Sequence, residues 1–432
     1  MRVFQTMAKA WNVPELRKKM IFTLLMLVVF RLGSAIPVPG INREAITDMF
    51  AGQGRGIFDL LDLFSGGSFS QMTVFALSIT PYITASIILN LLTISIPRLA
   101  QLAREGTEGR KKITQITRYL TVILALLQAI GMTVGLFRSA VVNFNFLSVS
   151  LIVLTLTAGT AFLMWLGEQI NEHGVGNGIS LIIFAGIICR APSAIRSALA
   201  MWDFGQGTVS TLTIILFIIF ALIVVVGIVL VQEGQRRIPV SYAKKVVGRK
   251  MYGGQSSHIP VKVNQAGVIP VIFSMSLLQF PMTLAIFISS KGYQDFVQDW
   301  FSTNGTGVGS FFYAGMNILL IMFFTYFYTM ITFNPVEVAE NMRENGGFVP
   351  GIRPGKATVD YLQKVMMRVT FVGAVFLSLI STLPTLVQGA TSLNIYFGGT
   401  SLLIAVGVAL ETMKQIEAQM ITRNYDDGFL RR

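Results

Sequence analysis

Apolar residues gather along this chain in ten long stretches, at about 20–37, 72–94, 118–137, 147–168, 178–195, 211–231, 264–288, 311–333, 366–387 and 394–411. A helix needs roughly 20 apolar residues to cross a hydrocarbon core of about 30 Å, so the pattern predicts ten spans with soft ends. The fifth is short, and the second and seventh contain prolines. Proline at that depth requires neighbours or water to satisfy the freed backbone groups. Ten spans divide into five and five, residues 1–200 and 201–432. With an odd number per half, the second half starts on the opposite side, so halves that are structural repeats are inverted ones. No clear internal identity is visible, and the inversion rests on counting.

Between the first two spans lies "IFDLLDLFSGGSF", from Ile57 to Phe69. It reads as a helix with a polar notch and a double-glycine stop. Asp59 and Asp62 share one face, while Ile57, Phe58, Leu60, Leu61, Leu63 and Phe64 cover most of the rest. About twelve residues make roughly 18 Å of helix, too short to span. The alternatives are a re-entrant packing helix and a closure element hinged at Gly66-Gly67.

Composition sharpens the class. The 432 residues are 53% hydrophobic and only 13% charged, with a mean hydropathy of +0.64. Soluble domains carry about 25% charge, so this is an integral membrane protein. One cysteine, Cys189, excludes an intrachain disulfide framework, and His173 and His258 lie far apart. No nucleotide-binding or metal-ligand motif is present, and the chain is expected to catalyse nothing by itself and to hold no cofactor. The net charge is +13. With the N-terminus in the cytoplasm, the cytoplasmic segments hold 26 of the 34 basic residues and the outside segments 6, with Arg31 and Arg368 inside spans. That asymmetry places both termini in the cytoplasm. Arg17, Lys18 and Lys19 lead into an apolar run without an evident cleavage site, so the first span is expected to be retained.

Two cytoplasmic segments are too long to be mere connectors. Residues 232–262 alternate as "RIPVSYA" and "HIPVKV" on either side of Gly253-Gly254, which predicts a projecting β-hairpin. In 334–364, Asn334 caps a helix that begins with Pro335 and ends at Gly346-Gly347. "VPGIRPG" then makes a stiff turn that holds Arg353 between two Pro-Gly pairs. Scattered lysines there serve topology and anionic lipid equally well. An arginine on a rigid turn points to a protein partner.

Charged residues in or near the spans sit towards the ends: Arg31, Glu168 and Arg368. The mid-span polar residues Asn90, Gln128, Gln279 and Asn317 are neutral, and buried amides commonly join helix to helix. This argues against ion-coupled transport of a small charged solute. Isoleucine recurs among small residues at Ile79 and Ile83, Ile179 and Ile183, Ile272 and Ile404. Stiff β-branched side chains can form a dry constriction that blocks ions by dewetting. Isoleucine is common in any span, so spacing alone leaves the ring and ordinary packing both open.

The chain resembles the SecY family, the large channel subunits of bacterial protein-translocation complexes. The matching stretches run in order over nearly its whole length: "FSGG" at 64–67, "PYITASII" at 81–88, "FLMWLGEQI" at 162–170, "GVGNGISLIIFAGI" at 174–187, "GQRRIPVSYAKK" at 234–245, "VNQAGVIPVIF" at 263–273, "GGFVPGIRPG" at 346–355 and "YFGGTSLLI" at 396–404. The resemblance implies an all-α integral membrane protein: ten transmembrane helices in two inverted five-helix halves forming an hourglass channel. It makes the short segment at 57–68 a plug in the outer funnel and the six isoleucines a pore ring. It puts a lateral gate between spans 2–3 and 7–8, lined by Thr84, Asn90, Gln128 and Phe280; relatives often carry glutamine in place of Asn90. Arg236, Arg237, Lys244, Lys245, Arg249, Lys250 and Arg353 then fall on the loops that contact the SecA motor and the ribosome. SecE and SecG small subunits, preprotein and signal sequence, and the bilayer of the plasma membrane complete the implied partners.

The function that follows is a passive pore that passes unfolded polypeptide across the membrane and releases hydrophobic segments sideways into lipid. A secondary transporter of a neutral or amphipathic solute is the alternative. An intramembrane protease lacks any serine–histidine, paired-aspartate or metal constellation in the spans.

Overall fold

The computed structural model describes residues 10–42, 44–46, 62, 65–201, 211–242, 245–247, 250–252, 256–288, 290–301, 308–390 and 399–430. Long apolar helices dominate both halves. The first contributes α1 (Pro14–Gly33), α2 (Thr80–Ser95), α3 (Pro97–Arg104), α4 (Thr107–Gly131), α5 (Phe146–His173) and α6 (Gly178–Met201). The second opens with α7 (Thr211–Glu233) and the strands β1 (Gln235–Tyr242), β2 (Lys245–Val247), β3 (Lys250–Tyr252) and β4 (Ser256–Lys262). It continues with α8 (Ile269–Phe287), α9 (Lys291–Phe301), α10 (Val308–Thr332), α11 (Pro335–Glu344), β5 (Gly347–Phe348), α12 (Lys356–Ala390) and α13 (Gly399–Leu430). Every apolar stretch read from the sequence falls on one of these helices. Among the described residues four helices are singly long and apolar enough to cross a membrane. The pair α2–α3 makes a fifth, bent by 105°. Three more apolar helices, at Gly178–Ser193, Ile218–Glu233 and Ile269–Ala285, are shorter, and the arrangement is consistent with ten spans.

The second span begins later than hydropathy predicts. Residues 66–79 are turns and bridges, and helix α2 starts only at Thr80, with Pro81 in its first turn. Met72 and Ser78 take positive φ angles of 45° and 54°, which no helix tolerates. The apolar residues of this stretch have another use. Phe69, Met72, Ala76 and Leu77 pack with Val38, Ile46, Phe137 and Ile152 in a buried cluster of their own. Apolarity alone does not separate a span from a core loop.

The two halves meet along two seams. Helix α8 packs against α2 and α4, and α6 packs against α13. Within the second half, α8, α10 and α12 are tied by buried polar groups. The Ser274 hydroxyl donates to Asn317 Oδ1 at 2.7 Å, and Asn317 Nδ2 donates to Ser381 Oγ at 3.1 Å. This is the helix-to-helix use expected of Asn317. Replacing it with leucine removes both side-chain bonds, leaving the Ser274 hydroxyl only the residue 317 carbonyl at 3.3 Å, and should cost on the order of 1 kcal/mol. A lowered unfolding temperature of the purified protein in mild detergent is the expected reading. An unchanged one would show that the network contributes nothing. Buried threonines are satisfied more locally: Thr121, Thr157 and Thr325 each donate to the carbonyl four residues back.

The two long loops form one unit. Strand β1 lies between β4 and β5, pairing Ile238 with Ile259 and Tyr242 with Gly347. Ile238, Val240 and Val261 turn inward onto Ala339, Met342, Val349 and Leu362. The predicted hairpin is present, with one correction. Strands β2 and β3 close through the pair Val247–Lys250, so the tip precedes Gly253-Gly254, which lie outside the described residues. The participation of Gly347-Phe348 as a third strand is not visible in a two-residue stretch of sequence. Asn334 caps α11 as expected, its Oδ1 accepting from the Val336 N–H at 3.2 Å.

Candidate functional site

All six isoleucines belong to the large apolar core that joins both halves. Ile79 precedes the first turn of α2 and Ile83 lies one turn inside it; Ile179 and Ile183 sit on α6, Ile272 on the first turn of α8, and Ile404 on α13. Ile79, Ile83, Ile183, Ile272 and Ile404 are all buried, and Ile179 packs half-buried against the same apolar cluster. Four helices from both halves thus contribute branched, uncharged side chains to the same core. Such a cluster offers no hydrogen bond and no charge to anything that touches it. Chemically it can exclude water and yield sterically; it cannot hold a polar ligand.

The end of the short segment lies against α6. Ile57, Phe58, Leu60, Leu61, Leu63 and Phe64 fall outside the described residues, whereas Asp62 and the turn from Ser65 onward are described. Asp62 Oδ1 accepts from the Ser65 hydroxyl and from the Ser70 N–H, both at 3.0 Å. Its carbonyl accepts from the Gly67 N–H. Gly66 and Gly67 have φ angles of +65° and +91°, the left-handed values a double-glycine stop predicts. A Cβ on Gly66 would stand 2.7 Å from the Cα of Gly186, so this turn touches the α6 backbone directly. One turn further along α6, the Arg190 guanidinium donates to Asp62 Oδ2.

That pairing corrects the reading of charges at span ends. The basic-residue tally counted Arg190 with the outside segments although it falls within the apolar stretch at 178–195, and α6 runs on to Met201. Arg118 also lies well inside α4, where its Nε donates to Glu168 Oε1 on α5 at 2.7 Å. Asp62, Arg190 and Glu168, which are buried or half-buried, each have a partner of opposite sign, the condition under which charge is tolerated at depth.

At the seam between the halves, Thr84, Asn90 and Gln128 are half-buried on the two helices that α8 packs against. The Thr84 hydroxyl donates to the Thr80 carbonyl at 3.1 Å. Phe280 on α8 is 48% exposed despite its size. On the loop unit, Arg236 and Arg237 are exposed along β1. Lys244 and Arg249 lie outside the described residues, and Lys245 and Lys250 sit in β2 and β3. Arg353 is exposed on the turn before α12, between Gly351 and Gly355 with φ angles of +83° and +101°. Its carbonyl accepts from the Thr358 hydroxyl at 3.0 Å.

Comparison with known proteins decides the family. The SecY family model matches residues 73–413. The protein translocase subunit SecY of Thermotoga maritima is 45% identical over 100% of this chain and 98% of its own. That of Halalkalibacterium halodurans is 48% identical, over 99% of this chain and 100% of its own. The chain belongs to the SecY family. Solved SecY-type channels share its fold at lower identity. A structure described as a protein-conducting channel superimposes with a TM-score of 0.64 at 20% identity, covering 94% of this chain and 93% of that one. The Sec61 channel from a canine ribosome–channel complex of the endoplasmic reticulum gives a TM-score of 0.59 at 18% identity, covering 94% and 93%.

As a SecY-family member the chain is a multi-pass membrane protein, and the residue that sequence reasoning overlooked is Arg190. A signal was available. Ile179, Ile183, Gly186 and Arg190 follow the i, i+4, i+7, i+11 spacing of one helix face. An arginine on the face that carries Ile179 and Ile183 is placed to meet whatever rests against that face.

Proposed function

We propose that this chain is the channel subunit through which unfolded preproteins cross the plasma membrane, with both termini in the cytoplasm. One observation carries the reading: the six isoleucines, contributed by both halves, belong to one apolar core, and the helix that carries two of them, α6, meets the turn that ends the short segment. The cluster is the pore ring, the segment at 57–68 the plug, and the seam of α2 and α4 with α8 the lateral gate. The pore passes any side chain, so it must bind none strongly, and a soft dry gasket meets that need better than a charged filter. The driving energy comes from outside, from a motor such as SecA or from the ribosome, docking on the loop unit of β1, β4 and β5. SecE and SecG are the expected small membrane partners. A solute transporter is not favoured, because Asn317 is engaged by Ser274 and Ser381.

Reconstitution tests this directly. Vesicles holding this chain and the small subunits, supplied with motor, ATP and a preprotein, should yield protease-protected preprotein. Gradient-coupled uptake of a small solute, with no protected preprotein, would overturn the reading.

The ring makes its own prediction. Replacing Ile83, Ile183 and Ile272 with glycine widens and softens the constriction, removing roughly 1.5–3 kcal/mol of apolar side chain at each position. Ion leak during peptide passage should rise several-fold. Glycine at the exposed positions Ile218, Ile219 and Ile223 of α7 should leave leak unchanged. Equal leak from both sets would remove any special role for the six.

A further inference from the structure

Asp62 lies at the end of the plug segment, and its carboxylate is 3% exposed. A carboxylate out of water is costly unless it is paired and hydrogen-bonded. This one is both: Oδ1 takes the Ser65 hydroxyl and the Ser70 N–H, and Oδ2 takes the Arg190 guanidinium. Arg190 is 23% exposed and stands seven residues past Ile183 on α6, about 10 Å of helix rise. Between them Gly186 receives Gly66 at backbone contact. The two contacts do different work. The glycine pair fixes how closely the turn approaches α6, while the ion pair spans two segments that must separate when the plug leaves.

We infer that Arg190 and Asp62 are positioning residues that latch the plug to the fifth span, and that their pairing sets how strong a signal segment must be to open the channel. The inference rests on the plug reading. Opening must separate the Asp62 carboxylate from the Arg190 guanidinium, which either exposes the carboxylate to water or leaves it buried without its cationic partner. A strong signal segment supplies that energy through its own burial at the gate; a weak one does not. Weakening the latch therefore lowers the threshold without touching the ring, the gate or the docking loops.

The test uses the whole complex in planar bilayers and in export assays with a normal and a weakened signal segment. Asp62→Asn keeps an oxygen acceptor for Ser65 and Ser70 and replaces the anionic acceptor facing Arg190 with a neutral N–H donor. Arg190→Gln removes the other partner, and Arg190→Lys keeps the charge but not the forked geometry. Resting conductance and export of the weak-signal preprotein should each rise about tenfold in Asp62→Asn and in Arg190→Gln, within the usual range for such couplings. The double variant should rise no further, and Arg190→Lys should fall between. In a channel lacking residues 57–68, Arg190→Gln should change nothing more. If deleting 57–68 leaves resting conductance unchanged, the plug reading fails. If the deletion leaks but Asp62→Asn and Arg190→Gln both stay tight and selective, the latch is overturned and the plug stands. Failure of Arg190→Gln to accumulate leaves Asp62→Asn, which is isosteric, to decide.

Discussion

A short crosslink between cysteines placed at Thr84 and Phe280 should abolish export, while a long flexible one between the same cysteines should leave it near normal. The expectation follows from how the halves are joined. Helix α8 packs on α2 and α4, and this seam is bordered by half-buried polar groups and a half-exposed phenylalanine rather than by a sealed core. An interface of that character separates at lower cost than the interior of either half, where α10 and α12 are bound to α8 through Asn317. A signal segment of about 20 residues leaving the pore for lipid needs a slot as long as the bilayer core, and only a seam between whole helices provides one. A short tether holds α2 and α8 together and closes the slot; a tether long enough for a helix diameter of about 10 Å does not. The expected loss with the short linker is at least tenfold, and reduction of the crosslink should restore export. Export that ignores linker length would place the opening elsewhere. The second seam, α6 against α13, would then be the one to crosslink.

Much of this molecule was legible in the sequence because a bilayer imposes a strong rule. Ten apolar stretches mark ten helices since lipid tolerates no unpaired backbone. The cap at Asn334, the glycine stop at Gly66-Gly67 and the rigid turn at Arg353 were legible because each rests on local backbone chemistry. Three features were not. The stretch 72–79 is as apolar as a span but packs as a loop core around Phe69 and Met72. Strand β5 has two residues, below any periodicity, and exists only because β1 offers it an edge. Arg190 lay within the apolar stretch at 178–195 but was tallied with the outside charges, and what no local pattern shows is its partner Asp62, 128 residues earlier in the chain. The grouping of the six isoleucines was open from spacing alone. It became specific through the family resemblance, and the six all fall in the large apolar core shared by the two halves.

Arg353 should prove as intolerant of lysine as of glutamate. The turn that carries it is held from both sides. Gly347 and Phe348 pair with Tyr242 and Ser241 of β1, Gly351 and Gly355 supply left-handed backbone that other residues adopt only under strain, and the Thr358 hydroxyl grips the Arg353 carbonyl. The guanidinium is therefore presented at a fixed place on the same sheet unit as Arg236 and Arg237, not on a free arm. If its purpose were topology or attraction to anionic lipid, charge alone would count, and Arg353→Lys would be silent. A docking arginine instead offers a planar fork to a carboxylate or a phosphate, and lysine cannot reproduce that geometry. Loss of such a charged hydrogen-bonded contact is worth about 1.5–3 kcal/mol, or roughly ten- to a hundredfold in motor-driven export. Arg353→Lys should fall in that range and Arg353→Glu should match or exceed it. Membrane insertion and the unfolding temperature should stay at wild-type values, since the side chain is exposed and supports no buried contact. Purified motor, vesicles and preprotein suffice for the measurement. Wild-type export by the lysine variant would remove the docking role and leave this loop with topology as its only task.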